Sequence, residues 1–490
     1  SILVMSLLLM SAMAFGAQEM TGQSISDAVS DELLYDQAVL STNINVQTTD
    51  GIVTLTGEVD NILAKERAAR IAEVVKGVRS VINRINVEPE EKKSDTELKN
   101  RISNALLEDP AADSFEISVS VDDGIATLSG NVDSWQEKEL AAKVAKGVDG
   151  LKELNNEIDV VYKTERSDPE IKAEIEQKLR WDVLVDDALI DVSVDEGNVM
   201  LSGTVGSAAE KSQATQDAWV AGVDSVENDN LTVMKWARDE ELRKDKYTAK
   251  SDTKIKQAIE DALLYDPRTL SFNIDPEVSA RVVTLRGEVD NLKAKRAAAS
   301  VARNTVGVLD VVNRIKVQPE AERDSEKVAS DIRESLLSDP YIDRYEITVS
   351  VNNGTAYLYG DVDSYFEKSQ ADDVASRVKG VQLVKNHLTV REEYDPYIYD
   401  PYVDDWYVYD YDWYRYEPTY PMASDTQIRQ DINSEIWWSP FVDADDVNVS
   451  VNNGVATLSG TVDSWSERNA ARENAFEGGA SWVVNNVEVE

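Results

Sequence analysis

One seven-residue phrase occurs six times along this chain, and it restricts the fold more than any other feature: LTGEVDN from Leu55, LSGNVDS from Leu128, LSGTVGS from Leu201, LRGEVDN from Leu285, LYGDVDS from Leu358 and LSGTVDS from Leu458. A recurrence of this kind means tandem copies of one small unit rather than a single large sheet or barrel. The glycines of the phrase, Gly57, Gly130, Gly203, Gly287, Gly360 and Gly460, are spaced by 73, 73, 84, 73 and 100 residues. Six domains therefore share 490 residues, where length alone predicts about three. A longer period overlies the first. Gly57 to Gly287 and Gly130 to Gly360 both span 230 residues; copies one and four share NRI-x-V-x-PE, copies two and five EI-x-VSV, and copies three and six SGTV. This pattern reads as duplication of a three-unit block.

Local patterns follow one order in every unit. Apolar residues three and four apart, as in Glu97 to Leu107 or Thr253 to Leu264, predict a first helix, usually ended by Asp-Pro. Period-two alternation at Ile117, Val119 and Val121, then Asp122-Asp123-Gly124, then Ala126, Leu128 and Val132 predicts a hairpin whose turn needs positive φ. Gly130, two residues past Leu128, falls on the same buried face, and the six equivalent glycines are expected to let a helix approach closely. Ser134-x-x-Glu137, Ser207-x-x-Glu210, Ser364-x-x-Glu367 and Ser464-x-x-Glu467 are capping boxes for a second helix. Gly77, Gly147, Gly222, Gly307, Gly380 and Gly479 are expected as left-handed C-caps. A last strand follows, such as Val81 to Val87. The predicted fold class is α+β: six tandem small α-β-β-α-β sandwich domains, each with two helices on one face of a three-stranded sheet. The units expected are 24–89, 94–162, 168–234, 250–319, 325–391 and 424–490, with 392–422 a Tyr/Asp/Pro-rich linker. Units this small bury only about 60% of their unfolded surface, so contacts between copies are expected to matter.

Composition narrows the chemistry. Cysteine is absent and His387 is the single histidine, which removes thiolate nucleophiles, disulfides, thiol-linked lipid anchors and multi-histidine metal sites. No catalytic motif is present, and acidic pairs occur too often to mark an acid/base pair. Turns such as Asp122-Asp123 and Asp195-Glu196 lack a full oxygen-ligand loop, so the expectation is no catalytic residue, no bound metal and no cofactor. A formal charge of −42 argues against nucleic acid as a partner. Ser1 to Gln18 carry no charge, and Leu, Met and Ile give way to small residues; residues 1–22 are read as a secretory signal peptide whose basic n-region is missing. That reading places the mature protein outside the cytoplasm, in the periplasm of a Gram-negative-type envelope.

The unit V-x-[DN]-[DN]-G-x-[VA]-x-L-x-G-x-V-D, with its capped helix and closing Gly-Val before a strand, resembles the BON domain, named from bacterial osmotically inducible and nodulation proteins. The resemblance covers nearly the whole mature chain. It implies a non-enzymatic envelope protein of osmotic stress that associates with phospholipid or membrane surfaces. It also leaves open chaperone-like binding of unfolded exported proteins, or cation binding. Repeat four departs from the pattern: Asp275 to Arg281, DPEVSAR, replaces the Asn/Asp-Gly turn and predicts a longer hairpin.

Two segments are candidate contact sites. Lys293, Lys295, Arg296 and Arg303 occur from Asn291 to Leu309 without an acid, and Lys293, Arg296 and Arg303 share one helical stripe, with Arg281 and Arg286 in the nearby hairpin. This stripe is expected either to dock an anionic headgroup or to pair with neighbouring acidic repeats. The second segment, Arg391 to Met422, holds ten of the 19 tyrosines, and Tyr397, Tyr402, Trp406, Tyr409 and Trp413 are candidate aromatic contacts, as are Trp437 and Trp438.

Overall fold

The computed structural model describes residues 20–39, 43–112, 116–163, 166–238, 246, 248, 250–319, 323–342, 347–391, 403, 423–439 and 441–489. The proposed signal peptide lies almost wholly outside the described residues, as does the Tyr-rich linker except Val403, which is buried against the cores of repeats one and two.

Each repeat is a helix, a hairpin, a second helix and a last strand, the last broken in repeat four into Asp310–Asn313 and Lys316–Val317. Repeat two runs Asp95–Glu108, Glu116–Asp122, Ile125–Val132, Trp135–Lys146 and Glu153–Val160. The hairpin is antiparallel, and the last strand adds in parallel to its second strand, which is therefore central. The right-handed crossover preference puts the second helix on the same face as the first. Leu98, Ile102 and Leu106 of the first helix and Ala141 and Ala145 of the second pack on Val119, Ala126, Leu128 and Val132. The fold is the α+β array that the sequence predicts.

The turns have the expected geometry. Asp123 and Gly124 sit at φ 49 and 79, and Asn453 and Gly454 at 49 and 75, the left-handed pair of a two-residue hairpin turn. Repeat four uses the same turn, contrary to the expectation of a longer one: Ala280 and Arg281 take φ 51 and 65, and Ile274–Ser279 pairs directly with Val282–Val289. Pro276 lies within the edge strand, where a missing N–H costs little. The strained turn is held from outside: Ala280 and Arg281 donate their N–H groups to the Asp252 carboxylate at 2.9 and 3.0 Å. Asp95, Asp168 and Asp425 clamp the turns of repeats two, three and six in the same way. This clamp is visible in the sequence only as a Ser-Asp pair 28 residues before the turn.

Two expected roles change. Gly130 makes room for a strand, not a helix: at φ 140, a Cβ there would stand 2.2 Å from the Glu116 carbonyl oxygen of the edge strand. Gly147 has an ordinary φ of −72, and Gly150, at φ 98, takes the left-handed position. The reciprocal half of the cap is also displaced by one residue. Glu137, Glu367 and Glu467 accept from the N–H of Asp133, Asp363 and Asp463, just before the capping serines.

The second helices are buried on both sides. In repeat five Phe366, Glu367, Lys368, Ser369, Gln370, Ala371 and Asp372 are all buried, because one face lies on its own sheet and the other on neighbouring repeats. A helix polar on its outer face and yet buried bridges domains. The duplicated blocks are related by a pseudo-two-fold. Val306 donates its N–H to Trp181 O at 2.9 Å, joining repeats three and four, and Lys76 donates to Trp438 O at 3.1 Å, joining repeats six and one. Lys76 and Val306 are equivalent positions, as are Trp181 and Trp438. Repeats two and five meet reciprocally, with Asp149 N–H on Ser338 O at 2.8 Å and Lys379 Nζ on Leu107 O at 2.7 Å. Such contacts are isologous, as in a homodimer, here within one chain.

Candidate functional site

The cationic stripe of repeat four turns inward. Lys293 pairs with Asp109 of repeat two at 2.6 Å, and Arg296 pairs with Asp372 of repeat five. Both arginine and aspartate of the second pair are buried, as is Asp109. Burial holds the Lys293 ammonium below its usual range, opposed by the Asp109 carboxylate. Arg303 lies 5.4 Å from the Trp465 ring of repeat six. Arg281 donates through Nε to Gly307 O at 3.1 Å, which ties its turn to the loop before the last strand. Lys295 is half-buried, and burial lowers its ammonium. Of the six cations, Arg286 alone is exposed, paired with Glu277 at 3.0 Å. The geometry therefore gives Lys293 and Arg296 acidic partners in other repeats, the second of the two roles the sequence allows.

The aromatic candidates divide. Tyr397, Tyr402, Trp406, Tyr409 and Trp413 lie outside the described residues. Trp437 and Trp438 are half-buried where repeat six closes on repeat one: Lys76 sits 4.8 Å from the Trp437 ring and donates through Nζ to Trp437 O at 2.7 Å. Trp135 stacks on Trp219 between repeats two and three at 5.4 Å. These rings join repeats.

With the second helices inside, the sheets face outward. Arg286, Arg314 and Lys316 are exposed on the sheet of repeat four, where Arg314 donates its N–H to Leu285 O at 2.9 Å, beside Arg286. On repeat five, Tyr357, Tyr359 and His387 stack, with Tyr359 and His387 5.1 Å apart and Lys385 Nζ 5.4 Å from the Tyr357 ring. Period-two alternation puts these residues on the face opposite the core, so the signal was present in the sequence but was eclipsed by the helical stripe. Among the described residues no group of three or more His, Asp or Glu is placed to hold a metal ion, and no helix is long and apolar enough to cross a membrane.

Several carboxyls at the joints between repeats are poorly solvated. Burial raises Glu73 to about 7 against a hydrogen bond from Ser212 of repeat three. It raises Glu435 to about 7 with help from Asp431 and Asp31, and Asp339 to about 6 against the nearby Arg377. The unfolded chain releases these protons near pH 4 to 4.5, whereas the folded protein keeps them to between about 6 and 7. Raising the pH through that window therefore removes stability, and the loss is complete above about 7. Asp266 and Asp373 are held below the usual range, offset against burial by Arg268 and Arg377 respectively, and their contribution is lost only in stronger acid. The thermal midpoint at constant ionic strength is expected to be several degrees higher at pH 5 than at pH 8, and Glu73→Gln with Glu435→Gln is expected to flatten the difference. A midpoint that rises from pH 5 to 8 would contradict this account.

The BON domain profile matches residues 21–89, 94–162, 167–235, 251–319, 324–392 and 424–490. Osmotically-inducible protein Y of Escherichia coli is 33% identical over 145 residues, 28% of this chain and 72% of that protein. Outer membrane lipoprotein DolP of Haemophilus influenzae is 28% identical over 107 residues, 21% of this chain and 54% of that protein, so the chain spans about half the length of this second relative. A solved structure of CdsD, a structural protein of the type III secretion system of Chlamydia trachomatis, is 17% identical with a TM-score of 0.12, covering 42% of this chain and 91% of that one. Six matched segments account for most of the sequence and coincide with the six helix-hairpin-helix-strand units: the chain belongs to the BON-domain family.

Proposed function

We propose that this protein serves the cell envelope under osmotic stress as a non-catalytic binder of membrane surfaces, with phospholipid headgroups as its ligand class. The names of the two relatives, one osmotically inducible and one an outer membrane lipoprotein, support the setting. The observation that carries the reading is the outward sheet of repeat four, where Arg286, Arg314 and Lys316 are exposed beside Glu277 and Glu288 on a strongly anionic chain. Tyr357 and Tyr359 on the next repeat have the apolar body and polar tip that suit a bilayer interface. Each basic residue near an anionic surface contributes about 1 kcal/mol, against repulsion from the rest of the molecule that salt or divalent cations screen.

Co-sedimentation with phosphatidylglycerol vesicles, with and without Mg²⁺, tests the reading. Reversal of Arg286, Arg314 and Lys316 to Glu is expected to weaken binding at least tenfold, while phosphatidylcholine vesicles bind little. No binding in any condition, or equal binding by the triple variant, would refute it. A second reading, capture of exposed apolar clients, is favoured by Trp482 and Val484, exposed together on the last strand. It expects suppression of client aggregation that is lost in Trp482→Ser.

A further inference from the structure

The second helices of repeats one, two, four and five, together with both helices of repeat three and the first helix of repeat four, line an open cleft of about 770 Å³, within the range of small-molecule sites. Most charges on its wall are matched by opposite ones: Glu66 by Lys146, Arg296 by Asp372 and Arg377 by Asp373. The wall of repeat three is different. There Asp182 and Asp217, from the ends of the two helices, stand side by side. Asp217 is 7% exposed, its Oδ2 accepts no hydrogen bond, and the nearest cation, Lys178, stands 3.8 Å from Oδ1. Asp182 is fixed by the Leu184 N–H at 2.7 Å and Gln213 Nε2 at 2.9 Å. Lys246 is turned away toward the carbonyl oxygens of Leu179 and Val185.

We propose that this wall is a binding site for an organic ammonium ion, a linear polyamine being the class that fits, received by Asp182 and Asp217 and flanked by Trp181 and Tyr265. Two carboxylates offer too few oxygens for Ca²⁺, which takes six to eight, whereas ammonium N–H groups satisfy acceptors singly and their alkyl chain packs on aromatic walls. A second buried acceptor without a hydrogen-bond partner, Gln370 Oε1, 2% exposed, lies on the repeat-five wall of the same cleft. This inference is independent of the membrane reading and uses none of the exposed sheet residues.

Burial and the adjacent Asp182 keep the Asp217 carboxyl protonated well above its usual range, against Lys178 and Lys246; an incoming ammonium displaces that proton. Calorimetry of the full chain with spermidine in 0.3 M NaCl tests the site, the salt suppressing loose attraction to the −42 surface. The expected result is one saturable site, proton release seen as a dependence of the heat on buffer, and at least tenfold weaker binding by Asp217→Asn. Gln370→Leu, on the repeat-five wall, is expected to weaken spermidine more than the monoamine butylamine, and it serves if Asp217→Asn does not fold. Absence of heat overturns the proposal. So does binding at many equivalent sites that neither variant alters, or binding without proton release.

Discussion

Replacing Gly130 by valine is expected to unfold repeat two. The residue sits at φ 140, where L-residues are rarely found, and its Cβ would lie 2.2 Å from the Glu116 carbonyl oxygen. Backbone on both sides of the clash leaves no flexible side chain to move aside. Strain of this kind costs about 1–3 kcal/mol before the steric overlap is added, against the few kcal/mol that a domain of this size holds in total. Repeats one and two contribute to one contiguous cluster of buried apolar residues, so repeat one should loosen as well. Loss of circular dichroism and rapid proteolysis within residues 94–162 are the expected readouts. Gly147→Ala is the control. Its φ is −72 and the nearest atom to an added Cβ is 3.4 Å away, so the change should be neutral or stabilising by about 0.4–1 kcal/mol. Equal effects of the two substitutions would show that backbone geometry is not what the recurring glycine supplies.

The contrast between these glycines shows what the sequence conveyed. Within a unit, periodicity and turn chemistry suffice, because helix, hairpin and cap depend on residues near one another in the chain. The physical reason for Gly130 was less accessible: its obstacle is a carbonyl oxygen, which every residue carries, and so no side chain in the sequence marks it. Repeat four shows the converse. Ala280 and Arg281 lack the usual turn residues, yet the turn forms because Asp252 holds both N–H groups from another element. The arrangement of the six units was least legible. Lys293, Arg296 and the tryptophans look like surface residues in one repeat and become joints only when the other repeats are present, since their partners lie far away in sequence. Duplication by 230 residues was the one hint, and a pseudo-two-fold is the symmetric way for two copies of a block to bury one surface.

Replacement of Lys293 by methionine is the second change with a large expected effect, and it separates the two roles this residue was expected to fill. As a headgroup ligand Lys293 would be dispensable for folding, and its loss would weaken vesicle binding alone. As the partner of Asp109, in the other half of the molecule, it neutralises a carboxylate that is 5% exposed. Removing one member of a buried pair strands the other and costs about 3–5 kcal/mol; the low end applies because Arg377 lies close enough to Asp109 to compensate in part. The thermal midpoint should fall and limited proteolysis of the chain should speed up, as the contact between the two halves weakens. Asp109→Asn in the same chain removes the stranded charge, keeps the acceptor for the Ala111 N–H, and should restore at least 1 kcal/mol relative to the sum of the single changes. Additive effects would mean that the pair is not coupled. An unchanged midpoint with weakened vesicle binding would return Lys293 to the surface role. The coupled result would instead place the basic stripe among the forces that hold the duplicated halves together, leaving contact with membranes to the outward sheets.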